Sequence, residues 1–117
     1  MSAELSNGVS VVSHQIHSDG RGDFREWFST RNLPDGWQSF TLAQANLSVS
    51  EKGVIRGIHF SRSDISQRKI VTCVRGEILD FVVDLRVGSP TFGSHVSIPL
   101  NAALIPAESP SYKTVTC

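Results

Sequence analysis

From Phe40 onward the residues fall into short strand-like runs, the first with a clear period of two, separated by polar or glycine-containing breaks, and this constrains the fold more than any other feature. In the first run Phe40, Leu42, Gln44, Asn46 and Ser48 share one face, while Ala43, Ala45, Leu47 and Val49 share the other. Gln44 and Asn46 therefore point the same way. A polar loop at 50–53 precedes a second run, residues 54–60, and another polar loop spans 61–68. Residues 69–74 and 77–86 read as a hairpin turning at Arg75-Gly76. Its second arm, Ile78-Leu-Asp-Phe-Val-Val-Asp-Leu85, is apolar at both parities, as in a strand covered on both sides of a sandwich. Asp80 and Asp84 fall on one face of that arm, in solvated or hydrogen-bonded structural roles.

The N-terminal third is less regular. Residues 9–16 carry enough β-branched side chains for a strand, 18–22 read as a turn, and 24–28 read as a second strand. Residues 29–39, with Pro34-Asp-Gly36 inside them, read as a loop with a helical turn before Pro34. With 117 residues and no internal repeat, the chain is expected to form one small all-β domain.

Eleven basic and eleven acidic residues cancel, so there is no cationic surplus for nucleic acid or an acidic membrane surface. No apolar run reaches the length of a membrane span and no basic-then-apolar leader opens the chain, so the expected location is cytoplasmic. Cys73 lies in a strand pattern and Cys117 is the last residue, which supports neither a disulfide framework nor a zinc cluster.

Five motifs, in order, carry a resemblance. They are Asp19-Gly-Arg-Gly-Asp-Phe-Arg-Glu-Trp27, Gln44-Ala-Asn-Leu-Ser-Val-Ser50, Gly53-Val-Ile-Arg-Gly-Ile-His-Phe60, Lys69-Ile-Val-Thr-Cys-Val-Arg-Gly76 and Val83-Asp-Leu-Arg-Val-Gly-Ser-Pro-Thr-Phe-Gly93. The third and fourth resemble the first conserved motif of the cupins, and the set together resembles the dTDP-4-dehydrorhamnose 3,5-epimerases. The resemblance implies a cupin-type jelly-roll β-sandwich. A metal-binding cupin carries His-x-His and then Glu in this motif, where this chain has His59, Ser61 and Lys69. A charged lysine has no lone pair to give a metal, so metal-free chemistry without a cofactor is expected.

By resemblance, His59 is the general base that removes a proton beside the C-4 ketone of a dTDP-linked 4-keto sugar. Lys69 stabilises the enolate, and Tyr112 is the acid on the opposite face. Arg21, Phe24, Glu26, Gln44, Ala45, Asn46 and Arg56 resemble the family's positions for the nucleotide and its diphosphate. The planar guanidinium forks of the two arginines suit phosphate. Phe24 packs against the thymine ring in this reading, and with Trp27 and Phe28 it equally suits the core or a dimer contact. If Arg56 and His59 line one pocket, their strand must break its period, and Gly57 is the residue to host a bulge. The family's dimers, with crossed N-terminal strands, imply a homodimer.

After Gly93 the likeness fades. Ser97-Ile-Pro-Leu100 and Leu104-Ile-Pro-Ala-Glu108 still resemble the family, but a strand opening with Ala-His-Gly-Phe is absent before Tyr112-Lys-Thr114. The chain is thus expected to be C-terminally incomplete, without the acidic partner of the histidine. Three readings stand at this point. They are a 3,5-epimerase or a 3-epimerase of an antibiotic deoxysugar pathway, a non-catalytic remnant that binds nucleotide or dimerises, and a metal-dependent oxygenase, which Ser61 and Lys69 oppose.

Overall fold

A computed structural model describes residues 2–4, 8–37, 39–62, 67–102 and 113–116. Eight strands, written β1 to β8, and one 3-10 turn make up its regular structure: β1 Ser2–Glu4, β2 Ser10–Val12, β3 Ile16–Asp19, β4 Gly22–Arg25, the 3-10 turn Thr30–Asn32, β5 Lys69–Val71, β6 Glu77–Val83, β7 His95–Asn101 and β8 Lys113–Thr116. Four strands form one sheet in the order β1-β2-β8-β5, all antiparallel. The pairs β3–β4 and β6–β7 each form a two-stranded sheet of their own.

The core lies between the four-stranded sheet and the β6–β7 pair. Val9 beside β2, Cys73 after β5, and Ile98 and Leu100 of β7 form its buried centre, with Val11, Val71, Val82 and Val96 packed around them. Alternation decides which side chains of β7 enter: Val96, Ile98 and Leu100 face inward, while His95, Ser97 and Pro99 are exposed. Opposite them on β6 stand Val82, Asp80 and Ile78. Asp80 is thus a half-buried carboxylate directly across from buried Ile98. Burial pushes its pKa up.

Several sequence expectations change here. The expected hairpin of 69–74 with 77–86 does not form: β5 pairs with β8, and β6 pairs with β7. The chain turns at residues 74–76 and passes from one sheet to the other. The Cys73 thiol donates toward the carbonyls of Arg75 and Gly76 at 3.2 and 3.4 Å, and the amide of Ala102 reaches Gly76 at 2.9 Å. A corner between two sheets and a hairpin turn leave the same glycine signal in sequence. Nor is β6 covered on both faces, since Leu79 and Phe81 on its outer side are 55% and 57% exposed.

The expected strand 9–16 divides into β2 and β3 around residues 13–15, and the expected strand 24–28 is replaced by β4, which stops at Arg25. The turn at 18–22 and the helical turn before Pro34 are as expected. The runs 40–49 and 54–60 have no ladder at all, because no described strand lies alongside to accept their backbone hydrogen bonds. With no ladder there is no bulge, although Gly57 does adopt a positive φ of 114°. Among the described residues, no helix is long and apolar enough to cross a membrane.

Candidate functional site

The residues singled out in the sequence fall on three parts of the molecule. The first is the β3–β4 pair and the turn that follows. At its tip, Arg21 binds the Asp19 carboxylate through Nε and the terminal amine, the latter at 2.6 Å, and its backbone amide donates to the same carboxylate at 2.8 Å. The guanidinium pulls the Asp19 pKa down, and both side chains remain open to water.

Below the tip, Phe24 and Glu26 line a cleft of about 490 Å³ together with residues of 12–17 and with Asn32 and Leu33. Phe24 is 72% exposed, which excludes the core role for it, and its ring centroid lies 6.5 Å from that of His17. Trp27 is likewise more exposed than buried, whereas Phe28 turns toward Phe40 with ring centroids 6.3 Å apart. Glu26 is held by Asn32, whose Nδ2 donates to Oε1. Asn32 reaches that position because Ser29 caps the 3-10 turn, its hydroxyl accepting from the Arg31 amide at 3.2 Å and its carbonyl from the Asn32 amide at 3.2 Å. Asn32 and His17 were not among the residues singled out. A contact between positions 26 and 32 crosses a loop and leaves no periodic signal.

The second part is residues 41–62, exposed at every position. Gln44 Nε2 donates to Asn46 Oδ1 at 2.9 Å, in line with the expected shared face. Arg56 is tied back within the same segment, to Ser50 Oγ at 2.8 Å and to the Val49 carbonyl at 3.3 Å. His59 projects from it, and among the described residues its side chain has no hydrogen-bond partner. Ala45 lies between Gln44 and Asn46 and is exposed.

The third part is the entry to β5. Arg68 stacks on Trp37, its guanidinium carbon 4.8 Å from the ring centroid, and donates to the Gly36 carbonyl at 2.9 Å. Trp37 is only 7% exposed and packs on Phe40, so the clamp is anchored in a buried ring. Lys69 follows, exposed, with its backbone paired to Thr116. No hydrogen bond joins Lys69 to His59, and neither lines the cleft beside Phe24. Tyr112 lies outside the described residues. The structure therefore brings together Phe24 with Glu26 and Gln44 with Asn46, while among the described residues no hydrogen bond joins His59 or Lys69 to any of them.

A family model described as dTDP-4-dehydrorhamnose 3,5-epimerase matches residues 4–105. The dTDP-4-dehydrorhamnose 3,5-epimerase of Mycolicibacterium smegmatis is 45% identical over 95 residues, 80% of this chain and 47% of that protein. A dTDP-4-dehydrorhamnose 3-epimerase of Streptomyces niveus is 49% identical over 87 residues, 74% of this chain and 42% of that protein. Among solved structures, a double mutant of ChmJ, a 3'-monoepimerase from Streptomyces bikiniensis in complex with dTDP, superposes with a TM-score of 0.78 at 38% identity. It covers 96% of this chain and 54% of its own. The chain thus spans about half the length of the curated relatives it matches.

Proposed function

This chain belongs to the dTDP-4-dehydrorhamnose 3,5-epimerase family, and from that premise we propose that it serves as a sugar-nucleotide epimerase. The substrate in this reading is dTDP-4-dehydro-6-deoxy-D-glucose, and the product of 3,5-epimerisation is dTDP-4-dehydro-L-rhamnose. The observation that carries the proposal is the match over residues 4–105, which spans His59, Lys69 and all seven binding candidates.

The chemistry assigned to these residues is proton transfer. The ketone at C-4 makes the protons on C-3 and C-5 acidic, and the neutral imidazole of His59 takes one of them. The C–H electron pair moves into the ring as the enolate, and the negative charge collects on the C-4 oxygen. The Lys69 ammonium faces that oxygen, where one well-placed donor contributes roughly 3 kcal/mol. The Tyr112 hydroxyl returns a proton from the opposite face, inverting the centre. A positioned base contributes ~10² to 10⁴-fold in rate. Arg21 and Arg56 are assigned to the diphosphate, and Phe24, Glu26, Gln44, Ala45 and Asn46 to the rest of the nucleotide. A single domain over residues 1–117, homodimer assembly and a cytoplasmic location belong to the same proposal. Epimerisation at C-3 alone is its nearest variant, and the name of the Streptomyces niveus relative favours keeping it in view.

A second reading has its own observation. His59 and Lys69 are both exposed and no hydrogen bond joins them among the described residues, so the two are not enclosed in a water-excluded site, which favours a chain that binds the nucleotide without turning the sugar over. Exchange of solvent deuterium into C-3 and C-5 of the substrate separates the two. The epimerase reading expects incorporation by the chain and loss of at least ~100-fold in rate in His59→Ala. Binding of dTDP with no incorporation would instead establish the non-catalytic reading.

A further inference from the structure

We propose that Arg68 is a positioning residue for Lys69: stacked on the buried ring of Trp37, it fixes the chain at the entry to β5 and so sets where the Lys69 ammonium stands. This rests on the reading that gives Lys69 the enolate oxygen, and deepens it.

Lys69 is weakly held by its own contacts. It is the first residue of β5, a three-residue strand at the edge of the four-stranded sheet, and its ladder to β8 ends at the Lys69–Thr116 pair. The end of an edge strand opens readily, because its outer side has no neighbour to hold it. Among the described residues the Lys69 side chain has no hydrogen-bond partner. A flexible four-carbon stem on such a backbone spreads its charge over many positions.

Arg68 supplies a hold one residue earlier. Its guanidinium carbon lies 4.8 Å from the Trp37 ring centroid, and Nη1 donates to the Gly36 carbonyl at 2.9 Å. A planar guanidinium does both at once, laying its face on the ring while its N–H groups point along its own plane. The anchor is itself fixed. Trp37 is buried, its amide donates to the Pro34 carbonyl at 3.1 Å, and its carbonyl accepts from the Phe40 amide at 2.9 Å. Its ring centroid lies 5.4 Å from that of Phe40, which in turn meets Phe28. Arg68 and Gly36 are 32 residues apart in the chain, so the clamp ties the entry of β5 to the aromatic loop that follows β4.

A donor aimed at a developing oxyanion helps only where it is already in place. Losing the clamp is therefore expected to lower turnover rather than binding, by about 2- to 30-fold, the range of a cation–π contact from exposed to desolvated.

The test is exchange of solvent deuterium into C-3 and C-5 of dTDP-4-dehydro-6-deoxy-D-glucose by the full chain, read as kcat and KM. Arg68→Met keeps an apolar stem and removes the charge, so kcat should fall about 2- to 30-fold with KM and circular dichroism unchanged. Arg68→Lys returns a cation to the ring and should regain part of the loss. In a chain that already carries Lys69→Ala, Arg68→Met should change kcat no further, because it acts through Lys69 alone. If Arg68→Met exchanges as fast as the unmodified chain, or slows the Lys69→Ala chain by the same factor, the role assigned to Arg68 is wrong while the epimerase reading stands. A rise in KM with kcat unchanged would also overturn it, since Arg68 would then serve binding. If the unmodified chain exchanges nothing, the epimerase reading fails and the role of Arg68 goes with it.

Discussion

Residues 41–62 and residues 84–94 both lie outside the strands, and they are held in opposite ways. The first is richly patterned, with apolar residues at alternating positions, yet Leu47, Val49 and Ile55 are 76%, 83% and 95% exposed. The second has little pattern and is bound by a buried carboxylate. Asp84 Oδ1 accepts from the Arg86 amide and Nε at 3.0 and 2.9 Å, and Oδ2 accepts from the Arg86 terminal amine, Ser89 and Thr91 at 2.8, 2.7 and 2.6 Å. The Asp84 main chain completes the loop, its carbonyl taking the Gly93 amide at 2.8 Å and its amide reaching Ser94 at 2.9 Å. Hydrogen bonds between near neighbours close within the segment that makes them. Strand alternation closes only when another strand comes alongside.

The sharpest way to break the comparison is Asp84→Ala. It should lower the thermal midpoint by on the order of 10 °C, since it strands Arg86, Ser89 and Thr91 around one lost acceptor. Amide exchange over 84–94 should rise toward that of 41–62; if the loop stays protected, the carboxylate is not what holds it. The same contacts hold the Asp84 pKa well below the ordinary carboxylate range, Arg86 contributing most. The stability Asp84 supplies is therefore present above the unfolded pKa, ~3.9, and lost as pH falls below it.

Asp80 sharpens the comparison from the other side, with a smaller effect. It sits four residues earlier on the core-facing side of β6, and among the described residues its carboxylate has no hydrogen-bond partner. Burial raises its pKa, so its charge opposes folding at neutral pH, and that penalty disappears below the unfolded value of ~3.9. Asp80→Asn should raise the midpoint at pH 7 by a few degrees and leave it unchanged at pH ~3.5. A gain of equal size at both pH values would mean that charge is not the cause.

The smallest effect belongs to the exposed segment. Ile55→Ala removes a side chain that is 95% exposed among the described residues, so urea unfolding should shift by less than about 0.5 kcal/mol. A loss several times larger would show that residues 41–62 are covered in solution.

The all-β class was legible in the sequence, and the cupin-type fold is shared with solved epimerases over nearly the whole chain. Ile98 and Leu100 alternate with exposed Ser97 and Pro99 along β7, the period of two that a half-buried strand shows, but in the sequence 97–100 is readable only by resemblance. What was not legible is which strands meet. Residues 69–83 carry the marks of a hairpin, yet their arms belong to different sheets, because the core centred on Val9 and Leu100 rewards stacking them rather than pairing them. At the candidate site, residue types were readable from motifs, whereas the hold of Asn32 on Glu26 and of Trp37 on Arg68 depends on loop geometry that no periodicity encodes.

Strand β8 lies between β2 and β5, in register with Val12 on one side and Lys69 on the other. During synthesis, then, residues 10–12 and 69–71 emerge with their facing backbone groups unmatched and wait until residues 113–116 have cleared the ribosome. Closing loops of that length makes β assembly slow, and the open edges in the interval are the ones a chaperone or a neighbouring nascent chain would find first.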